Sequence, residues 1–223
     1  MRRILLSIIS LVAFASMASA QQKIYVCEGF RYEVYDIKST DDIVFSADGQ
    51  EVSIGDYDTY ELEEIDSITF AEPQYPKVEI KYNGASATVE VGHNVKGVTY
   101  SVKGANVVLT SSTTTDEYLY TVSGKSDNGS LVINGTYKLT VELAGLDLTN
   151  PNGPAIDIEC GKRIGVVLKK GTVNNLADGK SGDHKGAFYT EGHPEFEGKG
   201  TLNVTGNTKH AICAKEYLQF KKS

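Results

Sequence analysis

Three phrases recur in the second half of the chain: PAIDIECGKRI at 154–164, GAFYTEGHPEF at 186–196 and HAICAKEYLQF at 210–220. In each, an alanine is followed nine residues later by a large apolar residue: Ala155 and Ile164, Ala187 and Phe196, Ala211 and Phe220. Successive alanines lie 32 and 24 residues apart. A second phrase runs between them as AGLDLTN (144–150), KGTVNNL (170–176) and KGTLNVTGN (199–207). A period of about 24 residues, built from short strands with Gly and Asn corners, describes one coil of a parallel β-helix. A single coil buries too few side chains to stand alone. Coils therefore stack about 4.8 Å apart and pair their backbones. The apolar pieces are short because each strand crosses one narrow face and then turns. The 32-residue step carries extra loop, ADGKSGDHK at 177–185.

Alternation assigns the faces of the coils. Ile156 and Ile158 point inward, stacked on Phe188 and Thr190 and then on Ile212 and Ala214. Asp157, Tyr189 and Cys213 form one outward ladder, and Glu159, Glu191 and Lys215 the next. On the following strand Arg163, Glu195 and Gln219 are expected to stack outward, beside a step from Glu197 to Lys221. The last coil stops within LQFKKS, so an incomplete coil or an atypical short cap is expected there.

The rest of the chain divides by composition. Arg2 and Arg3, an apolar run from Ile4 to Phe14 and the small residues ASMASA read as a secretory signal peptide over 1–20, cut after Ala20. Export to the periplasm, cell surface or medium follows from that reading. Residues 21–72 carry 14 Asp and Glu against 3 Lys and Arg. They form a small acidic N-terminal β region in which STDDIVF (39–45) and EIDSITF (64–70) repeat weakly. The IDSITF ending resembles short segments found ahead of larger domains in secreted proteins of Gram-negative bacteria. Pro73 and Pro76 mark a linker at 73–77. Residues 78–223 read as the β-helix domain, without a convincing helical period. The fold class expected is all-β: a right-handed parallel β-helix preceded by the small acidic β region.

The overall charge of −7 excludes the basic footprint that nucleic acid requires. No second apolar run has membrane length. Cys27, Cys160 and Cys213 show no CxxC spacing and read as free thiols. Cys160 and Cys213 lie two coils apart, too far for a disulfide. No GxSxG, HExxH or P-loop is present, and His184, His193 and His210 have no metal-ligand spacing.

The blocks SGKSDNGSLVINGTYKLTVELAGLDLTNPNGPAIDIECGKRIGVVLKKGTVNNLADG (123–179) and KGAFYTEGHPEFEGKGTLNVTGNTKHAI (185–212) resemble a secreted bacterial carbohydrate-binding family with a right-handed parallel β-helix fold. The resemblance covers roughly residues 78–223. It implies binding of plant-type polysaccharide of the polygalacturonate or cellulose type, bound calcium, and no catalytic machinery.

The residues themselves supply a candidate site. Parallel stacking brings Glu159 and Glu191 within about one strand spacing. Two carboxylates that close repel unless a cation or proton lies between them. Asp157, Glu159 and Glu191 are thus the candidate calcium ligands, the alternative being an ordinary solvated ladder compensated by Lys215 and Lys162. Tyr189 offers an aromatic face to a sugar ring. Arg163 and Lys215 offer cations to uronate carboxylates, Arg163 in bidentate form. The loop containing Asp178 and Asp183 is a candidate groove wall. Asp157, Glu159, Tyr189, Glu191, Arg163 and Lys215 together form the candidate ligand-binding set. The function expected is a non-catalytic binder of acidic polysaccharide assisted by calcium. A polysaccharide lyase or hydrolase using Arg163 with Glu159 and Glu191 is the alternative, and a surface adhesin for protein partners is another.

Overall fold

The structure, a computed structural model, describes residues 22–38, 42–180 and 184–221. Every regular element in it is a β-strand. The leader expected at 1–20 lies outside the described residues. Among the described residues no helix is long and apolar enough to cross a membrane. The chain divides between Pro73 and Gln74 into two compact units.

The first unit contains β1 (Gln22–Glu28), β2 (Arg31–Ile37), β3 (Ile43–Phe45), β4 (Glu51–Ile54), β5 (Asp58–Glu61) and β6 (Ser67–Thr69). They form two antiparallel three-stranded sheets, ordered β2-β1-β6 and β3-β4-β5. The core joins Ile24, Val26 and Tyr35 to Val52, Ile54 and Tyr60. The Tyr35 hydroxyl donates to Asp58 at 2.6 Å and also meets the Tyr60 hydroxyl. The repeated acidic phrase has a simple structural meaning. Each copy ends in a short edge strand, β3 in one sheet and β6 in the other.

The second unit opens with β7 (Lys77–Asn83), β8 (Ser86–Val91), β9 (Val98–Lys103) and β10 (Asn106–Ser111). It continues with β11 (Leu119–Ser126), β12 (Ser130–Asn134), β13 (Leu139–Asn150), β14 (Ile156–Glu159), β15 (Arg163–Leu168) and β16 (Val173–Asp178). It ends with β17 (Gly186–Thr190), β18 (His193–Glu197), β19 (Thr201–Thr205), β20 (His210–Ala214) and β21 (Gln219–Phe220). The strands wind into a β-solenoid of about four turns. One face is the parallel run β10-β12-β14-β17-β20, and a second is β7-β11-β13-β15-β18-β21. The third pairs the end of β13 with β16 and β16 with β19. Antiparallel β9 closes the first face beside β10, and antiparallel β8 closes the second beside β7.

The core is a set of columns running through the coils. Val107, Leu131, Ile156, Phe188 and Ile212 are stacked in register. Tyr120, Val141, Val166, Phe196 and Phe220 form a second column. The first four residues of each column are buried. Each such side chain contributes about 1.5–3 kcal/mol on leaving water. Some column positions are polar, among them Ser126, Thr190 and Asn174. Asn174 is completely buried and pairs with Leu202 in the ladder.

The inward and outward assignments on β14, β17 and β20 hold in the structure. Asp157, Tyr189 and Cys213 share one register position, as do Ile158, Thr190 and Ala214. The assignment on the next face shifts by two residues. Arg163 pairs with His193, and Glu195 pairs with Gly165 and Gln219. From Ile158 to Arg163 the chain takes two residues more than from Thr190 to His193, the residues paired with them, so matching Ile164 to Phe196 by sequence counts across a step that the backbone does not keep. Gly192 sits in the shorter corner. A Cβ there would lie 2.0 Å from the Lys162 carbonyl oxygen. No disulfide forms: Cys27 and Cys160 are buried thiols and Cys213 is half-buried.

Candidate functional site

The first face changes character along its length. At one outward position the residues run Val108, Val132, Asp157, Tyr189, Cys213. At the next outward position Thr110 and Asn134 lead to Glu159. Glu191 and Lys215 continue that position through backbone bonds to the coil before each, from Glu191 N–H to Ile158 C=O and from Lys215 N–H to Thr190 C=O. Titratable side chains therefore gather on the later coils.

The loop between β16 and β17 brings His184 onto this cluster, which no spacing along the chain indicates. Its Nδ1 lies 3.0 Å from Asp157 Oδ2 and 3.6 Å from Glu159 Oε1. Asp157, Glu159 and His184 are the three metal-ligating residues, among those described, whose donor atoms all lie within 4.8 Å of one another. The second oxygen of Asp157, Oδ1, is buried and has no hydrogen-bond partner. Burial raises the Asp157 carboxyl pKa, and the nearby His184 only partly offsets this. Burial and the Asp157 charge raise the Glu159 pKa as well.

Glu191 takes a different part from the one expected. Its carboxylate meets Lys215 Nζ at 2.5 Å and accepts the Tyr189 hydroxyl at 2.8 Å. Those two hydrogen bonds hold its pKa below the ordinary range. Glu159 and Glu191 are neighbours in the ladder, yet Glu159 faces His184 while Glu191 is occupied by Lys215.

Tyr189 is outward in register but not open. The His184 ring stacks on it with centroids 3.9 Å apart, and Tyr189 is only 5% exposed. His184, from the longer repeat step, covers it, so the outer ring at this position is the imidazole. Burial, followed by donation to Glu191, raises the phenol pKa.

Arg163 does not join the cluster. On the second face its guanidinium meets Glu117 at 2.5 Å and Glu195 at 3.9 Å. Glu117 also takes Lys138 at 3.2 Å and the Thr140 hydroxyl at 2.8 Å. Lys221 meets Glu195 at 2.8 Å and Glu197 at 3.6 Å. Burial pushes the Glu117 pKa up, but Thr140 and Arg163 outweigh it and the net shift is downward. Glu117 lies outside the recurring phrases, and only coil register could have found it. Asp178 is buried and accepts from the Asn207 and Thr208 amides, so it holds a corner. Asp183 lies outside the described residues.

The sequence matches the carbohydrate-binding domain-containing proteins over residues 103–223, more than half of the chain and all of its later coils. The chain belongs to that family. The carbohydrate-binding domain also shares its fold with a polysaccharide lyase-like protein from C. thermocellum, solved as a gadolinium derivative. The two are 21% identical with a TM-score of 0.55, over 65% of this chain and 58% of that one. The chain thus spans less than two thirds of that solved structure. No curated protein matches it.

Calcium, expected at this face, takes six to eight oxygen ligands. The carboxylates of Asp157 and Glu159 suit it, and the unpartnered Asp157 Oδ1 is a suitable donor. His184 is not a calcium ligand, and its Nδ1 is the atom closest to both carboxylates. The three residues together do not make a calcium cage.

Proposed function

We propose that the chain is a non-catalytic polysaccharide-binding protein whose contact surface is the outward face of β14, β17 and β20. Membership of a carbohydrate-binding family supports the polymer class. The observation that carries the reading is the outward ladder: Glu159, Glu191 and Lys215 stand on successive coils beside Asp157. A polymer running along this face meets a polar group at each coil. Asp157 and Glu159 accept hydrogen bonds from sugar hydroxyls, and the His184 ring covers an apolar sugar face.

An acidic polymer is the finer part of the proposal. Three carboxylates stand here against one lysine, so a polyuronate needs a cation between itself and the face. Calcium enters as an ion held largely by the polymer's own oxygens and by water. Retention on polygalacturonate should then fall in EDTA. The leader at 1–20 supports export, and the N-terminal residue of the secreted protein tests it.

The test is pull-down of the folded chain on insoluble acidic and neutral polysaccharides, with calcium and with EDTA. Retention lost in Glu159→Gln supports this face. No retention on any glycan overturns the reading. The lyase alternative used Arg163 beside Glu159 and Glu191, and the commitment of Arg163 to Glu117 and Glu195 argues against it. Release of unsaturated uronate ends in the same tubes would revive it.

A further inference from the structure

We infer that Asp157, Glu159 and His184 form a binding site for a divalent transition-metal ion of the zinc class, selected over calcium. The argument starts from the donor atoms. Two carboxylates and an imidazole are a mixed oxygen and nitrogen set. Imidazole suits zinc and its first-row neighbours, whereas calcium and magnesium take oxygen. Zinc binds His nitrogen at about 2.0–2.1 Å and carboxylate oxygen at about 2.0–2.2 Å. Ligand atoms around such an ion then lie roughly 3.4 Å apart in tetrahedral geometry. His184 Nδ1 is 3.0 Å from Asp157 Oδ2 and 3.6 Å from Glu159 Oε1, distances on either side of that spacing.

The supports of the three residues point the same way. Asp157 and Glu159 are alternate residues on β14, held between β12 and β17 by ladder bonds, so their outward directions are fixed by a central strand. The His184 ring is packed on Tyr189, and Tyr189 is pinned through its hydroxyl to Glu191. Lys215 neutralises Glu191 next door and leaves the Asp157–Glu159 pair to the imidazole. An independent feature is Asp157 Oδ1, fully buried without any hydrogen-bond partner. Buried polar oxygens are paired in the great majority of cases. A bound cation would satisfy it. Three protein donors leave one or more positions open, the arrangement in which zinc keeps a water or an exogenous oxygen ligand.

The inference does not depend on the polysaccharide reading, and its test uses metal alone. The chelator-stripped full chain is titrated with Zn²⁺ by calorimetry and with Co²⁺ by visible absorption. The expected result is one equivalent bound, with the Co²⁺ bands of an oxygen and nitrogen site. A hundred-fold excess of Ca²⁺ should leave the Co²⁺ spectrum in place. His184→Ala and Asp157→Asn should each weaken Zn²⁺ by at least about ten-fold, the scale on which even outer-shell partners act. His193→Ala, which alters the other histidine–carboxylate contact, should leave the affinity unchanged. Unchanged Zn²⁺ affinity in a folded His184→Ala chain overturns the proposal. So does absence of Zn²⁺ binding, or displacement by equimolar Ca²⁺. Polymer pull-down of the stripped chain is a separate measurement, so either proposal can fail alone.

Discussion

Replacing Asn174 by leucine sets the hydrophobic pattern against the hydrogen-bond inventory. Its ladder partner on the next coil is Leu202, so Asn174→Leu makes the column uniformly apolar. Pattern reasoning expects a gain. The structure predicts a loss. The Asn174 side-chain oxygen accepts from the Gly145 and Leu146 amides, both at 2.9 Å. Its amide group donates to the Thr201 carbonyl at 3.1 Å and to the Thr172 hydroxyl at 3.2 Å. Leucine strands the two amides. A buried donor without a partner costs about 1–3 kcal/mol, so the pair costs about 2–6 kcal/mol. Burying leucine returns roughly 2 kcal/mol. The net loss is about 0–4 kcal/mol, or some 4–8 °C in Tm near the middle of that range for a chain of this size. Asn174→Ala lacks the offset and should be worse. Urea denaturation followed by far-ultraviolet circular dichroism reads the order wild type, leucine, alanine. A leucine variant more stable than wild type would refute the reasoning, because the two amides would then have found other partners at no cost.

Three other outcomes follow from the same structure. Phe188→Ala empties the column between Ile156 and Ile212 and should lose about 3–5 kcal/mol in the same denaturation assay. Gly192→Ala forces a methyl group against the Lys162 and Cys160 carbonyls and should lose about 1–3 kcal/mol, with the nearby Thr190 and His193 amides exchanging faster in deuterium. The Glu117 pKa is lowered in the folded state, so its ion pairs stabilise above the unfolded carboxylate range, and that stability is lost as pH falls through the lowered value. Glu117→Gln should therefore cost about 1.5–3 kcal/mol at neutral pH, and the gap from wild type should close well below the ordinary Glu pKa of about 4.3.

The coil was legible because recurring phrases carry it. Alternation on IDIE and FYT put Ile156, Ile158, Phe188 and Thr190 on one side and Asp157, Glu159 and Tyr189 on the other, as the register has them, since a period of two leaves no freedom once the core side is known. Register across the corner was not legible. Two extra residues between Ile158 and Ile164 move Arg163 from Glu195 to His193, and no local pattern announces them. The candidate site was legible to the extent that it lies on strands. Asp157, Glu159, Glu191 and Lys215 are neighbours as expected, and Glu191 pairs with Lys215 in the ladder, but the partner of Asp157 and Glu159 comes from a loop. His184 reaches Asp157 across 27 residues of chain, and its ring removes Tyr189 from solvent. The earlier coils were harder to recognise because Val107 to Ile133 share the register of the later ones without sharing their phrases.

The antiparallel strands at the head of the solenoid bear on the order in which it folds. β7 and β8 are joined through the two-residue loop Gly84-Ala85, and β9 and β10 through Gly104-Ala105, each with its glycine at positive φ. The later pairings join strands much farther apart along the chain, from 21 residues between Tyr120 and Val141 to 42 between Val78 and Tyr120, and the entropy of closing a loop grows with its length. Hairpins of this kind form in about 1–10 μs. They can offer a finished edge to β11 and β12 before any other part of the solenoid exists. Each new coil then docks on a template already in place. Folding of this domain is thus directional, and the carboxylates of Asp157 and Glu159 are brought together late, after the edge that receives their strand has formed.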